Sequence, residues 1–168
     1  MKDLKKRIID SFGNRLRVRV CGICTEGENV LMVNHQSLNE GDDFWGPPGG
    51  GMDFGISAEQ NLKREFREET GLIIDVEDFL FVHEYLSPPL HAIELIFIVK
   101  QKGGELKIGM DPEMAENEQI IKNVMFMPFQ NIKKMKRGSV HQMFEKITSI
   151  KDLKVMNGFY ASRINQII

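Results

Sequence analysis

One segment, GGGMDFGISAEQNLKREFREETGL at residues 49–72, constrains the fold and the chemistry of this chain more than any other. Its second half carries four glutamates within eleven residues: Glu59, Glu65, Glu68 and Glu69. Ser57 and Gln60 have the spacing of a helix capping box, and Gly71 stands where a left-handed glycine commonly ends a helix. The pattern therefore predicts one helix between Ser57 and Gly71, directly after a run of glycines.

That helix would crowd negative charge onto one face. At roughly 100° per residue, Glu65, Glu68 and Glu69 fall within a sector of roughly 100°. Leu62 and Phe66 lie on the adjoining face, which we expect to dock against a sheet. Like charges at this spacing destabilise an isolated helix by roughly 0.2–0.5 kcal/mol per pair. The cluster therefore requires a physical explanation.

Two explanations of the cluster are open. The first is a solvated face balanced by Lys63, Arg64 and Arg67, as in many charge-rich helices. The second is a site where a hard divalent cation turns the repulsion into ligation. The preceding loop favours the cation, because Pro47-Pro48 stiffens it and Gly49–Gly51 lets a carbonyl or a phosphate come close. Mg²⁺ takes few protein ligands and shares the rest with water and substrate phosphates.

Outside this segment the chain is rich in strand patterns. Alternation and β-branched residues predict strands over residues 15–24, 29–35, 79–86, 91–101 and 124–129. Residues 102–108 suggest a further turn and strand, and Ser139 with Gln142 predicts a helix over residues 139–147. Strands outnumber helices in an irregular order, which favours an α+β or mixed α/β sandwich over a doubly wound parallel sheet.

The opening segment resembles the box that defines the Nudix hydrolase family, G-x5-E-x7-R-E-U-x-E-E-x-G-U, in which U is a bulky aliphatic residue. Gly50 matches its first glycine, and REFREETGL at residues 64–72 matches its second half, with Phe66 at a U position. The resemblance implies a Nudix-like α/β/α sandwich with a mixed β-sheet. It implies a single domain over residues 1–168, with the box at residues 50–72.

The same resemblance implies a Mg²⁺-dependent pyrophosphohydrolase. Such an enzyme cleaves the diphosphate linkage of a nucleoside diphosphate joined to another group, as in ADP-ribose, a nucleotide sugar or a (d)NTP. The metal ligands would be the Gly50 carbonyl, Glu65, Glu68 and Glu69, with Mn²⁺ as a substitute for Mg²⁺. Arg64 would orient a carboxylate through a charge-assisted hydrogen bond, and it joins the three glutamates in the catalytic set.

The general base implied by the resemblance is one of the helix glutamates. Glu116 or Glu118 in the acidic loop DPEMAENEQ is the alternative, although that loop is equally explained as a solvated turn. The residues expected to approach the substrate phosphates are Gly49, Gly50 and Gly51. Trp45 is a candidate to stack on a base, but an aromatic residue beside a loop more often packs into the core.

One position departs from the family pattern. Ile56 stands where the box has its first glutamate, which in the family helps to hold the loop and the start of the helix. Asp53 and Glu59 are close enough in sequence to compensate, or Ile56 serves as the hydrophobic residue before the Ser57 cap. The departure keeps a second hypothesis open, a catalytically weakened Nudix-fold module that binds a nucleotide and regulates.

The sequence says less about the substrate. Pro88 stands 16 residues after Leu72, a spacing that resembles Nudix enzymes acting on ADP-ribose. The alternative is that SPP is simply a hairpin turn, whatever the substrate. The four histidines show no ligand spacing. His91 with Glu94 lies on a predicted strand, where two interpretations are open: the pair lines the pocket, or it stands on an ordinary strand surface, which we expect.

Composition excludes several classes of partner. The net charge is −2 over 168 residues, so nothing favours nucleic acid. The chain has no run of about eighteen apolar residues that would suggest a membrane span. The start MKDLKKRIIDSFG lacks the apolar stretch of a signal peptide. We expect a cytoplasmic protein with a nucleotide-derived small-molecule substrate and, because the family is often dimeric, a homodimer.

Cys21 and Cys24 form a C-x-x-C, which is compatible with a redox pair or half of a zinc site. They fall within a predicted strand, however, and residues three apart on a strand face opposite sides of the sheet. We therefore expect two buried thiols.

Overall fold

The computed structural model describes residues 6, 9–10, 12–36, 43–110, 119–153 and 155–163. The strands, in chain order, are β1 (Arg15–Glu26), β2 (Asn29–Gln36), β3 (Asp43–Gly46), β4 (Gly49–Gly51), β5 (Leu72–Ser87), β6 (Leu90–Gly104), β7 (Ile121–Pro128) and β8 (Phe159–Arg163). Between them lie the helices α1 (Ala58–Thr70), α2 (Phe129–Lys134) and α3 (Ile150–Leu153) and a 3₁₀ helix (Gln142–Lys146).

Within the described ranges the eight strands form one mixed sheet. Its order is β3-β2-β1-β6-β5-β8, with β4 added beside β1 and β7 beside β2. β1 runs parallel to β6 and β5 runs parallel to β8, whereas the other pairs are antiparallel. The topology confirms the predicted mixed α/β class and differs from a doubly wound parallel sheet.

Helices cover both faces of this sheet. α1 buries Leu62 and Phe66 completely, in a cluster with Val20 of β1, as the helix pattern predicted. Phe144 of the 3₁₀ helix and Leu153 of α3 belong to a second cluster on the opposite face. Each fully buried Leu or Phe contributes about 1.5–3 kcal/mol. Among the described residues, no helix is both long enough and apolar enough to cross a membrane.

The two cysteines are free and buried, as expected. Cys21 belongs to the cluster under the C-terminal helices, and Cys24 belongs to the cluster under α1. The two thiols therefore lie on opposite faces of β1, and the prediction of two separate buried thiols is confirmed.

The turn and strand predicted over residues 102–108 are wrong. β6 continues to Gly104, and residues 105–110 form no strand. Their backbone instead covers the end of α1, where the N–H groups of Lys107, Gly109 and Met110 donate to carbonyls of residues 68–70. The last carbonyls of a helix have no partner within it, so this extended segment satisfies them.

The helix predicted over residues 139–147 is also wrong in its start and type. Ser139 does not cap it, because the Ser139 hydroxyl donates to the Lys136 carbonyl over 2.6 Å. The observed 3₁₀ helix begins after His141, whose Nδ1 accepts from the Met143 N–H over 3.2 Å. A histidine thus takes the capping role that the sequence assigned to a serine.

Candidate active site

Helix α1 begins and ends where the sequence predicted. The Gln60 N–H donates to Ser57 Oγ over 3.2 Å, and the Ser57 N–H donates to Gln60 Oε1 over 3.3 Å, which completes the capping box. Gly71 has φ 73°, and its N–H donates to the Arg67 carbonyl over 3.1 Å. A residue with a side chain is strained at that φ. Local signals therefore fix the direction in which the helix presents its glutamates.

Arg64 binds two of the three glutamates on the predicted face. Its guanidinium donates to Glu68 Oε2 over 2.7 Å and to Glu65 Oε1 over 2.9 Å. It also lies 3.1 Å from Asp53 Oδ2. Burial would lower the pKa of Arg64, but the charges of Glu65, Glu68 and Asp53 raise it. Arg64 is therefore a fixed cation within the acidic face, where it can orient carboxylates.

Glu65 and Glu69 reach the glycine turn that forms β4. The Gly49 N–H donates to Glu69 Oε2 over 2.8 Å, and Glu69 is 7% exposed. A Cβ at Gly50 would overlap the Glu65 carboxylate, so the absence of a side chain there lets this glutamate lie against the turn. The structure thus brings together the turn and the helix face that the sequence placed in one site.

Asn61 ties the loop to the helix, and the sequence analysis missed it. Its Nδ2 donates to the Gly51 carbonyl over 2.8 Å, and its Oδ1 accepts from the Asp53 N–H over 3.1 Å. The side chain is fully buried. An asparagine inside a helix pattern carries no signal of such a bridge, although its unusual placement one turn after the N-cap is a weak hint.

Ile56 replaces the first glutamate of the box, and the loop around it shows which nearby carboxylate lies between the loop and the helix. Ile56 is 37% exposed. Glu59 faces away, because it pairs with Lys63 over 2.7 Å. Asp53 instead contacts Arg64, so of the two candidates it is Asp53 that places a carboxylate between the loop and the helix.

Two further side chains border the turn. Arg19 of β1 donates to the Gly49 carbonyl over 3.2 Å, so Gly49 is held through both its N–H and its C=O. His35 Nε2 lies 3.9 Å from Glu69 Oε1. Burial, and then the charge of Arg19, lower the pKa of His35 to about 4, so the ring is neutral at pH 7. Neither residue was predicted, because both stand within ordinary strand patterns.

The donor set of the turn and the helix fits a hard divalent cation. Carboxylate and carbonyl oxygens are the ligands that Mg²⁺ prefers, and Glu65, Glu69 and the glycine backbone supply them side by side. The close approach of Glu65 to Gly50 leaves no volume for a side chain between them. Glu68 joins the same face through Arg64.

A second group of potential ligands is a hydrogen-bonded cluster instead. His83, Glu94 and His141 offer ligand atoms within 4.8 Å of one another. However, the Met143 N–H donates to His141 Nδ1, which puts the ring proton on Nε2, 2.8 Å from Glu94 Oε2. A metal on Nε2 would move that proton to Nδ1, where it would face the Met143 N–H. Two donors would then oppose each other.

The remaining predicted residues lie apart from this turn or outside the described ranges. Trp45 is 9% exposed and belongs to a core cluster, which supports the core alternative over stacking on a base. Pro88 lies in the turn between β5 and β6, as the hairpin alternative expects. Glu116 and Glu118, the alternative general bases, fall outside the described residues.

Comparison with known proteins agrees with this geometry. A sequence model of the NUDIX domain matches residues 13–146. The chain is 34% identical to an ADP-ribose pyrophosphatase of Methanocaldococcus jannaschii over 119 residues, which is 68% of this chain and 70% of that protein. It is 30% identical to an 8-oxo-dGDP phosphatase of Mus musculus over 61% of this chain, but that match spans only 32% of the mouse protein.

Solved structures share the fold at low sequence identity. The MutT protein from Methanosarcina mazei superposes with a TM-score of 0.61 and 18% identity, over 79% of this chain and 93% of that one. At this identity the likeness supports the fold alone.

Proposed function

Since the chain belongs to the Nudix hydrolase family and is a hydrolase of the pyrophosphatase type, we propose that it cleaves the diphosphate linkage of a nucleoside diphosphate derivative with the help of Mg²⁺. The observation that carries the proposal is the contact of Glu65 and Glu69 with the Gly49–Gly51 turn. This contact places carboxylates beside a backbone that a phosphate can approach closely.

The residues of the site take distinct roles in this proposal. The Gly50 carbonyl, Glu65, Glu68 and Glu69 would hold Mg²⁺, or Mn²⁺ in its place. A divalent ion held there would supply neutralisation of the phosphate oxygens and a lowered pKa of a water molecule. Arg64 holds Glu65 and Glu68 in fixed orientations through two charge-assisted hydrogen bonds.

The Gly49, Gly50 and Gly51 backbone lines the side where the diphosphate lies, and one helix glutamate accepts the proton of the attacking water. The oxygen of that water becomes bonded to one phosphorus, and the bond from this phosphorus to the bridging oxygen breaks. From ADP-ribose or a nucleotide sugar, each half therefore leaves as a phosphate monoester, whereas a (d)NTP cleaved between its α and β phosphates would give a nucleoside monophosphate and pyrophosphate. Trp45 is a further candidate for substrate binding. Because it lies in the core, we expect it to affect binding through packing rather than by stacking on the base.

ADP-ribose is the first substrate to test. The support is the 34% identity to an ADP-ribose pyrophosphatase. Nucleotide sugars and (d)NTPs are the next classes, since they contain the same linkage.

A substrate panel tests the proposal. ADP-ribose, a nucleotide sugar, a dinucleotide and nucleoside triphosphates are incubated with the protein, with Mg²⁺ or with EDTA, and the products are separated by ion-exchange chromatography. Mg²⁺-dependent formation of AMP and ribose 5-phosphate from ADP-ribose is the expected result. Hydrolysis of none of them in the presence of Mg²⁺ or Mn²⁺ would overturn it.

The second candidate is a nucleotide-binding module with weak turnover, and Ile56 in the place of the first box glutamate favours it. Tight, calorimetrically measured binding of one nucleotide without product formation would select it. Replacing Ile56 with Glu would then raise turnover, because the missing carboxylate is restored beside the loop.

Two further properties belong to the same proposal. We infer a cytoplasmic location, which the two free thiols support, since reduced cysteines are usual there. We also infer a homodimer, to be measured by light scattering on the full chain, and no nucleic acid or membrane partner.

A further inference from the structure

A row of polar side chains crosses the sheet and ends at the glycine turn. Gly51 of β4 stands opposite Arg19 of β1, Arg19 opposite Glu94 of β6, and Glu94 opposite His83 of β5. Neighbouring strands are about 4.8 Å apart, so the row spans roughly 14 Å. Glu94 and His83 of this row are buried, and buried polar groups are costly unless each has a partner.

Glu94 is the centre of this row, and it is 6% exposed. Its Oε1 lies 3.4 Å from Arg19 Nε. Its Oε2 lies 2.7 Å from His83 Nδ1 and 2.8 Å from His141 Nε2. Burial would raise the pKa of Glu94, but His141, His83 and Arg19 together hold it well below its usual value. The carboxylate is therefore ionised and acts only as an acceptor.

The direction of each hydrogen bond follows from these contacts. Because the Met143 N–H donates to His141 Nδ1, the proton of this ring lies on Nε2 and is donated to Glu94. His83 donates from Nδ1 to the same oxygen. One carboxylate oxygen thus serves two histidines, and the other faces the guanidinium of Arg19.

We propose that Glu94, fixed by His83 and His141, is a positioning residue for the candidate active site. It holds Arg19 in the orientation in which the guanidinium donates to the Gly49 carbonyl. The effect of Glu94 on catalysis rests on the proposed function, but its effect on the conformation of the Gly49–Gly51 turn does not.

Gly49 is the residue at which this row meets helix α1, the proposed metal-binding helix. Arg19 binds its carbonyl oxygen, and Glu69 binds its N–H. The guanidinium of Arg19 stands on a flexible stem, and Glu94 Oε1 lies 3.4 Å from its Nε, so the direction of the guanidinium depends in part on this carboxylate. Without the Glu94 carboxylate, Arg19 can rotate, and Gly49 then loses one of the two side-chain hydrogen bonds that hold it.

Glu94→Gln is the sharpest test, because it preserves shape and volume. A glutamine amide must place its NH₂ either against the two histidine N–H groups or against Arg19, and each choice sets donor against donor. Glu84→Gln is the matched control. Glu84 pairs with His91 over 3.0 Å across the same two strands, β5 and β6, but stands outside the row.

Two readouts separate positioning from general stability. The first is the amide chemical shifts of Gly49 and Gly50 in ¹⁵N–¹H spectra without metal, which report the turn itself. The second is Mn²⁺ affinity, measured by electron paramagnetic resonance. For Glu94→Gln we expect displaced amide signals and Mn²⁺ binding that is weaker by about 10–100-fold, as for other losses of an outer-shell partner. For Glu84→Gln we expect both readouts to remain as in the wild type.

His141 provides a rescue test that does not depend on Glu94→Gln. His141→Gln retains an N–H donor near Nε2 and should keep the Gly49 signal close to the wild type, whereas His141→Leu should displace it. Arg19→Met should give the same displacement directly, which keeps the inference testable if Glu94→Gln fails to fold.

Unchanged Gly49 and Gly50 signals in folded Glu94→Gln, or equal behaviour of His141→Gln and His141→Leu, would overturn the inference. A wild-type protein that binds no Mn²⁺ would instead count against the proposed function, because the amide signals report the turn with or without an ion.

Discussion

Gly49 and Glu69 are 20 residues apart in the chain, and they share one buried hydrogen bond of 2.8 Å from the glycine N–H to the Oε2 of the carboxylate. This bond closes the loop between β4 and the last turn of α1. It also fixes one oxygen of Glu69 at the surface where a diphosphate is proposed to lie.

Glu69→Gln is expected to lower kcat by about 10²–10³-fold, the usual scale for losing one group that stabilises charge in a transition state. The amide oxygen of glutamine can still accept from Gly49, so the melting temperature should change little. Steady-state kinetics with Mg²⁺ and thermal melting measure the two quantities.

Glu59→Gln is the control for that variant, since Glu59 is an exposed partner of Lys63 on the same helix. It should retain wild-type turnover. A loss of stability in Glu69→Gln that matches the loss of activity would mean that Glu69 is structural.

Gly50→Ala and Gly49→Ala should fail in different ways. The three atoms nearest to a Cβ at Gly50 all belong to the Glu65 carboxylate, which can swing aside, so we expect low activity with a nearly unchanged melting temperature. A Cβ at Gly49 meets the backbone of Val20 and Cys21, which cannot yield locally. Gly49→Ala should therefore melt at a clearly lower temperature. Similar melting temperatures for the two variants would contradict this explanation.

Asn61→Ala should destabilise the protein by about 1–3 kcal/mol, because it leaves the Gly51 carbonyl and the Asp53 N–H without the amide that serves both. Urea unfolding followed by circular dichroism measures the free energy of unfolding. Lys63→Ala, a surface change on the same helix, should alter it far less. Equal effects would show that the amide bridge is not a source of stability.

Cys21 and Cys24 should resist thiol reagents at pH 8 until the protein unfolds. Burial raises the pKa of Cys24 to about 11, and it raises the pKa of Cys21 as well. Only the thiolate reacts, and a raised pKa keeps its fraction low at that pH. Ellman's reagent should report slow labelling in buffer and two thiols in guanidinium chloride. Rapid labelling of the native protein would support a reactive pair instead.

Helix α1 could be predicted from sequence because its signals are local. Ser57 and Gln60 define its start and Gly71 defines its end, each from neighbouring positions in the chain, and the glutamates follow from its periodicity. β5 shows the limit of this approach. The strand begins at Leu72, seven residues before the predicted start. The prediction missed this part because bulges interrupt the alternation of its side chains. Where bulges break the two-residue alternation, the sequence pattern no longer indicates a strand, although pairing with a neighbouring strand still forms one.

The residues that sequence reasoning missed act through distant partners. Arg19 contacts a carbonyl 30 residues away, and His141 contacts a carboxylate 47 residues away. Arg19 lies on a strand, where its side chain has the same pattern as a solvated surface residue, and only the register between β1, β6 and β5 aligns it with Glu94 and His83. His141 caps the 3₁₀ helix, and only tertiary packing brings it to Glu94.

Arg64 has one more consequence, for the order in which the site is assembled. By binding Glu65 and Glu68, the Arg64 guanidinium offsets the negative charge of these two carboxylates. If Mg²⁺ binds here as proposed, the chain would not need the ion in order to fold, because Arg64 already offsets the charge of two carboxylates. The same neutralisation would weaken the attraction of the cluster for a free cation, so the proposed ion would bind more tightly together with a negatively charged diphosphate.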